Sequence, residues 1–400
     1  MKAYHSIKVL TIIANPIGRH SGMIGGNEIN VIEILRRISK HGIIVETIEP
    51  SPAASLAFKA DYKVYQVRIP PLKSRKPLID IIKFFFWIVG SFKVILNLRH
   101  KKYDAVVAAT CNISDTIPAQ VACKLMKAPM VINHQAAFGT GSFLTLYRQI
   151  RADNATLLDA FVRSAGLMLS LSIAKNVDVI ICNSKSAAAS LKKIRGKIYV
   201  VNMGIDADYI DSIHVLRKEY DAAFMARIEK SKGILDLLLA WYNVIKQCKN
   251  AKLIIIGDGS YLYKAKTLAR TLHIEKNVDF VGFIRGNKKY VYLKKSKIFI
   301  YPSSTVEGSP RVVLEAMSCG LPVILYDNPT IDRNLKACRS VILLPMGDVI
   351  ALSNMALKLL TMKEEDLIEL GQISKKYAKQ FSWDATVSDY ANILKNLLAR

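Results

Sequence analysis

The sequence predicts an α/β architecture of parallel sheets divided between two domains. Apolar runs of strand length alternate with helix-length patterns from end to end, as crossover helices between parallel strands require. The runs form two series with a break between them. A chain of 400 residues with 51% hydrophobic content has enough apolar side chains for two cores.

The first series opens at Ile7–Ala14, apolar but short. Asn15-Pro16 cuts it off before a signal or membrane span can form, so it reads as a buried strand. Gly22-Met-Ile-Gly25-Gly26-Asn27-Glu28 follows as a glycine loop ahead of a helix over Ile29–Ser39, its glycines letting backbone pass close to a ligand. An ordinary turn is the plainer reading of such a loop. Further strands are expected at Ile43–Ile48, Ala105–Ala109, Met130–Asn133 and Val179–Asn183.

Leu78–Leu98 is strongly apolar, yet Asp80, Lys83 and Lys93 leave only Phe84–Phe92 free of charge, too short to span a bilayer. On a helical wheel Ile81, Phe85, Ile88, Phe92, Ile95 and Leu96 share one face. Lys83, Gly90 and Asn97 lie opposite, with Phe86 and Trp87 on the flanks. An interfacial helix resting on an anionic membrane is one reading and plain packing the other. A second apolar helix near Leu157–Ile173 is either buried or borders a lipid groove. The second series of strands is expected at Tyr220–Met225, Lys252–Ile256, Val278–Val281, Ile298–Tyr301 and Pro322–Tyr326, which puts the domain boundary near residues 205–216.

The net charge is +25, and it is uneven: residues 1–200 hold 28 Lys+Arg against 11 Asp+Glu. Such a field favours nucleic acid, an acidic membrane surface or phosphorylated substrates over a merely basic surface. No RNA-binding motif or aromatic–basic repeat supports nucleic acid as a partner. The six cysteines are scattered without zinc spacing and read as free thiols of a reducing compartment.

Two stretches carry chemistry. In Ala226-Arg227-Ile-Glu-Lys-Ser-Lys232-Gly233, two cations sit between an apolar strand and a helix over Ile234–Ile245, where arginine grips phosphate oxygens as a fork and lysine as a point charge. Lys230 competes with Lys232 for the second role. In Glu307-Gly-Ser-Pro-Arg-Val-Val-Leu-Glu315, two carboxylates flank a helix start, with Ser309 as N-cap, Pro310 as first helical residue and the free amides of Arg311–Val313 facing outward. Such a helix end attracts anions. Gly320 and Pro322 end the helix before a strand at Val323–Tyr326. Taken alone, both glutamates are ordinary surface residues. Ile256-Gly257-Asp258-Gly259 lacks the third glycine of a dinucleotide fingerprint.

The 307–315 run, the Glu-Ala-Met at 315–317 and the exit Cys319-Gly-Leu-Pro-Val-Ile324 together resemble the glutamate-x7-glutamate signature of the GT-B retaining glycosyltransferases, glycosyltransferase family 4. Tyr199–Asp206 resembles the family's strand and turn before its interdomain linker. Phe381-Ser-Trp383-Asp384 resembles its C-terminal Trp motif. The resemblance is strongest over residues 220–325.

The resemblance implies a GT-B fold, two Rossmann-like domains facing each other across a cleft. Residues 1–205 would form the acceptor side, with helix 384–400 packing back on it, and residues 206–383 the donor domain. Arg227 and Lys232 would bind the donor diphosphate. Glu315 would bond the ribose hydroxyls and Glu307 would face the transferred sugar. The amides of Ser309, Arg311 and Val312 would reach sugar hydroxyls or phosphate, and the Arg311 side chain would meet the diphosphate, an anionic acceptor or solvent. Phe283 and Ile284 resemble the nucleobase cradle, with core packing as the other reading. Gly25, Gly26 and His134 match positions that contact the donor.

In that group the departing phosphate is thought to take the acceptor's proton, so the protein mainly positions and stabilises charge. Asp206-Ala-Asp208 matches a metal-holding Asp-x-Asp pattern but falls in the expected linker, so no metal is expected. The resulting expectation is a retaining hexosyltransferase that needs no cofactor and takes a UDP- or GDP-linked sugar as donor. Its acceptor would be lipid-linked or a polysaccharide, and its place the cytoplasmic face of the cell membrane. A nucleotide-sugar 2-epimerase and a basic membrane-binding protein on a degenerate scaffold are the alternatives.

Overall fold

The computed structural model describes residues 6–14, 26–51, 61–70, 77–134, 147, 157–191, 194–284, 286–304 and 310–399. The chain divides into two compact units, Met1–Gly204 with Trp383–Arg400, and Ile205–Ser382.

Unit 1 holds a parallel sheet of β1 (Ile7–Ile12), β2 (Ile43–Ser51), β3 (Lys63–Arg68), β4 (Ala105–Ala108), β5 (Met130–His134), β6 (Val179–Cys182) and β7 (Lys197–Val200), in the order β3-β2-β1-β4-β5-β6-β7. Strands β4, β5 and β6 are buried throughout, because helices cover both faces. On one face lie α1 (Gly26–Arg37) and the helix Trp383–Leu398 (α14). Val31, Ile32, Ile34 and Leu35 of α1 pack there with Val387, Tyr390, Ile393 and Leu394. Asn133 Nδ2 donates to the Tyr390 hydroxyl at 3.1 Å. On the other face lie α2 (Pro77–Leu98), α3 (Ile113–Met126), α4 (Leu157–Ala174) and α5 (Lys185–Ser190), the last capped by Ser184 Oγ, which accepts from Ala187 N.

Two expectations change here. Helix α1 starts at Gly26, so Gly26 is helical rather than part of a loop running to Glu28. The buried side of α2 is centred on Trp87, expected on a flank, with Ser91, Ile95 and Leu98 below it. The indole Nε1 of Trp87 donates to the Ser114 carbonyl at 2.8 Å, and Gly90 admits Val67 so closely that a Cβ would lie 2.3 Å from it. The indole has a polar atom to satisfy as well as area to bury, which turns the helix on its axis and leaves Phe85 63% exposed. Among the described residues no helix is long and apolar enough to cross a membrane.

Unit 2 repeats the plan with β8 (Tyr220–Met225), β9 (Leu253–Ile256), β10 (Val278–Gly282), β11 (Ser296–Tyr301), β12 (Val323–Tyr326) and β13 (Val341–Leu344), all parallel, in the order β10-β9-β8-β11-β12-β13. Its helices are α6 (Ala207–Ser212), α7 (Ile234–Gln247), α8 (Leu262–Thr271), α9 (Lys288–Lys294), α10 (Arg311–Ser318), α11 (Arg333–Lys336), α12 (Val349–Leu360) and α13 (Glu364–Lys379). In α7, Ile234, Leu237, Leu238, Trp241 and Val244 recur at helical spacing and are all fully buried. Strand order reverses between β8 and β11, and ligands of open parallel sheets bind at the carboxyl ends of strands at such a switch point. All six cysteines are free; burial pushes the thiols of Cys182 and Cys319 up to about 12.

Candidate donor-binding site

The carboxyl ends of β8, β9 and β10 are joined by backbone bonds. Ala226 N donates to Ile256 O at 3.1 Å, Ile228 N to Asp258 O at 2.9 Å, and Gly257 N to Gly282 O at 2.8 Å. The glycines of 256–259 serve this approach: a Cβ on Gly257 would stand 1.8 Å from Ala226 O, and one on Gly259 2.4 Å from Ile228 O. Packing, not a ligand, accounts for the Gly-Asp-Gly pattern. Asp258 Oδ1 accepts from Gly259 N, turned back on its own backbone.

Arg227 leaves this seam exposed. The nearby carboxylate of Glu229 accepts from Ser260 Oγ at 2.5 Å, which directs it to another partner. Lys230–Lys232 form a 3-10 turn, and Lys232 is half-buried with its ammonium 5.8 Å from the Tyr301 ring centre, whereas Lys230 is exposed. Gly233 then takes φ +73°, and a Cβ there would lie 1.9 Å from Pro302 O. The Ser231 carbonyl accepts from Ser304 N at 2.9 Å and from Ser303 Oγ at 3.2 Å. The lysine turn is thereby fixed to the end of β11, at the switch point.

Beside it, Tyr301, Ser303, Pro310, Tyr326 and Asn328 line a small pocket at the start of α10. Asn328 Oδ1 accepts from Thr330 N and Thr330 Oγ1, shaping the turn after β12. The Tyr326 hydroxyl donates to Asp236 Oδ2 at 3.0 Å in the first turn of α7. Helix α10 begins at Arg311, one residue later than expected. Pro310 sits outside at φ −61°, ψ 125°, and its carbonyl accepts from Val313 N at 3.0 Å, leaving the amides of Arg311 and Val312 at the helix mouth. Both residues are half-buried.

Glu315, one turn into α10, is only 1% exposed. Its Oε1 accepts from Lys289 Nζ at 2.7 Å, Arg311 Nε at 3.2 Å and the Tyr290 hydroxyl at 3.3 Å. Burial pushes this carboxyl up, but the charges and hydrogen bonds of Lys289 and Arg311 outweigh it and hold the pKa below the ordinary value. Burial and the adjacent Glu315 raise the Tyr290 phenol, which keeps it a donor. Oε2 makes no bond among the described residues. Sequence reading missed Lys289 and Tyr290, because they meet Glu315 from another helix and no local pattern marks the contact.

The other expected site residues are dispersed. Phe283 is 49% exposed just past β10, and Ile284 packs half-buried on the core. In unit 1, His134 closes β5 and is 1% exposed, and Gly26 opens α1. Gly25, Glu307 and Ser309 lie outside the described residues. Asp206 precedes α6 and Asp208 is exposed in its first turn. Among the described residues no cluster of three or more His, Cys, Asp or Glu could hold a metal ion.

Residues 208–380 match the family of glycosyl transferases group 1, and residues 24–209 match glycosyltransferase family 4. The chain is a glycosyltransferase of the group 1 and family 4 type. An uncharacterized glycosyltransferase of Methanocaldococcus jannaschii, MJ1069, is 22% identical to this glycosyltransferase over 94% of the chain and 96% of its own length. MJ1059 of the same organism is 31% identical over 40% of this chain and 42% of its own. The alpha-monoglucosyldiacylglycerol synthase of Streptococcus pneumoniae is 35% identical over 27% of this chain and 24% of its own. The latter two matches thus span less than half of either relative.

Among solved structures, sucrose-phosphate synthase of Thermosynechococcus elongatus superposes with a TM-score of 0.75 at 18% identity, covering 98% of this enzyme and 99% of that chain. Anabaena HepE in complex with UDP-glucose superposes with a TM-score of 0.70 at 17% identity, covering 98% and 100%. The fold of this glycosyltransferase is GT-B.

Proposed function

We propose that this glycosyltransferase moves a hexose, with retention, from a UDP- or GDP-linked donor to a lipid-linked or polysaccharide acceptor at the cytoplasmic face of a membrane. The observation that carries this reading is the grouping of Arg227, Lys232, the mouth of α10 and Glu315 around the carboxyl ends of β8 and β11. Arg227, Lys232 and the amides of Arg311 and Val312 suit the charge that develops on a departing diphosphate. Glu315 Oε2 suits the vicinal hydroxyls of ribose, which need an ionised acceptor. Phe283 and Ile284 are assigned to the base, and Glu307, His134, Gly25, Gly26 and Ser309 to the sugar and phosphate. Unit 1 would take the acceptor and residues 206–383 the donor.

In this reading the phosphate oxygen released from the sugar accepts the acceptor's proton, and the protein supplies position and charge. The UDP-glucose held by HepE favours a UDP-sugar, and the glycolipid synthase of S. pneumoniae favours a lipid acceptor. Substituting Lys232→Ala or Glu307→Gln and measuring sugar-nucleotide turnover tests the site; full activity in both variants removes it. A panel of nucleotide sugars followed by mass analysis of lipid extracts identifies donor and acceptor. The epimerase alternative predicts sugar-nucleotide conversion without acceptor, so product analysis with and without acceptor decides against one of the two. A chain that binds no UDP- or GDP-sugar would return the reading to a basic surface-binding protein.

A further inference from the structure

Unit 1 carries an apolar surface on two helices of one layer. On α2, Ile81, Ile82, Phe85, Phe86, Val89 and Leu96 are 36–63% exposed. They recur at three- and four-residue steps on the side turned away from Trp87 and Ile95. The rings of Phe85 and Phe86 meet edge to face, 6.2 Å apart. On α4, Leu157, Leu158, Phe161, Val162, Met168 and Leu169 are 38–65% exposed, while Ala160, Ser164 and Ser170 face inward. Helix α3 packs against both, so the two apolar faces flank it on the same side of the sheet. Single exposed apolar residues are ordinary; two adjoining helical faces of them mark a contact surface.

The charge around this surface says what it meets. Parallel strands set α2, α3 and α4 running in one direction, so their C-terminal ends share one edge of the layer. That edge is basic, with Arg99, His100 and Lys102 after α2, Lys124 and Lys127 at the end of α3, and Lys175 after α4, all exposed. The acids beside it are engaged with backbone: Asp104 Oδ2 accepts from Lys8 N at 2.7 Å and Asp178 Oδ2 from Met130 N at 2.8 Å. An apolar face with a cationic rim complements acyl chains beneath anionic headgroups. A second copy complements it poorly, because two chains of net charge +25 would meet basic rim to basic rim.

We propose that the α2–α4 face of unit 1 docks on a bilayer containing anionic phospholipid. Phe85, Phe86 and Phe161 enter the acyl boundary, and the Arg99–Lys102, Lys124, Lys127 and Lys175 rim engages headgroup phosphate. The proposal rests on the membrane-surface part of the reading above and gives it a specific surface.

The test is flotation of the full chain with vesicles of phosphatidylcholine mixed with phosphatidylglycerol and with vesicles of phosphatidylcholine alone. Binding is expected to the mixed vesicles and to weaken with added salt. The double variant Phe85→Ser, Phe161→Ser replaces exposed side chains and so leaves the core intact. It is expected to bind at least about tenfold more weakly, since it removes two apolar rings from the acyl boundary. Lys124→Glu with Lys127→Glu is expected to weaken binding to the mixed vesicles alone. Equal binding by the serine variant and the wild type overturns the proposal, and so does a wild-type dimer in light scattering that the serine variant converts to monomer. Calorimetry of UDP-glucose binding without lipid separates the two readings. UDP-glucose binding without flotation removes the docking surface alone, and flotation without binding of any sugar nucleotide removes the transferase reading alone.

Discussion

Lys289 holds its ammonium 2.7 Å from Oε1 of Glu315, a carboxylate that its own helix buries. An ionised carboxylate buried without partners would cost several kcal/mol, so this pair fixes both the charge and the orientation of Glu315. Replacing Lys289 by Met should weaken UDP-sugar binding about tenfold, a loss of about 1.4 kcal/mol. The effect on pH has a defined sign. The folded pKa of Glu315 lies below the ordinary value, so the ionised form persists as pH falls. In the Met variant burial is opposed by Arg311 and the Tyr290 hydroxyl without the Lys289 charge, and the acid limb of UDP-sugar binding should move to higher pH. Titration calorimetry across the acid range checks both outcomes.

Arg227 is exposed at the end of β8, and its removal should cost binding and not stability. Arg227→Ala is expected to lower affinity for nucleoside diphosphate by about tenfold while leaving the melting temperature nearly unchanged, and Arg227→Lys to recover only part of the loss, since a point charge replaces a fork. Differential scanning fluorimetry with and without UDP measures the two effects together. A large drop in melting temperature without ligand would make Arg227 a structural residue.

Gly233 is constrained twice, by its left-handed backbone and by Pro302 O lying where a Cβ would go. Gly233→Ala should destabilise unit 2 by about 2–4 kcal/mol, combining strain with displacement of the lysine turn. Hydrogen exchange in β8 and β11 should rise while exchange in β1 and β4 stays constant.

Glu46 predicts the acid stability of unit 1. It is 7% exposed on β2 and accepts from the hydroxyls of Tyr65 and Tyr103 and from Lys101, with Lys8 Nζ at 3.0 Å. Burial pushes its carboxyl up, but the Tyr103 hydroxyl, Lys8 and Tyr65 pull it down from 4.5 to about 2. A depressed folded pKa stabilises above the unfolded value and is lost as pH falls through the folded one, so the window is about pH 4.5 to 2. Glu46→Gln should cost about 1–3 kcal/mol at neutral pH and flatten stability across that window. Exchange protection of β1 and β2 against pH reports it.

Most strands were plain in the sequence: β1, β2, β4, β5, β6, β8, β9, β10, β11 and β12 all fall on expected apolar segments. Strands β3 and β13 were not anticipated. Both are sheet edges; Lys63–Arg68 mixes polar with apolar residues, which hides its strand character, whereas Val341–Leu344 is as short and apolar as β9 and its omission has no structural reason. The charged junction at Arg227–Lys232 was legible because strand, cation and glycine follow one another in the chain. The partners of Glu315 were not, since Lys289 lies 26 residues away and only the fold brings it there. Apolar periodicity also misjudged α2, because it weighs Phe and Trp alike, whereas the Trp87 indole had a carbonyl to reach.

Helix α14 belongs to unit 1, although every residue of unit 2 precedes it in the chain. Val387, Tyr390, Ile393 and Leu394 join the core beside α1, and the Tyr390 hydroxyl meets Asn133 of β5, only after unit 2 has been translated. During synthesis the second unit is therefore complete before the first, and a nascent chain stopped at Ser382 presents to chaperones the flank of α1 and the part of β5 at Asn133 that α14 covers.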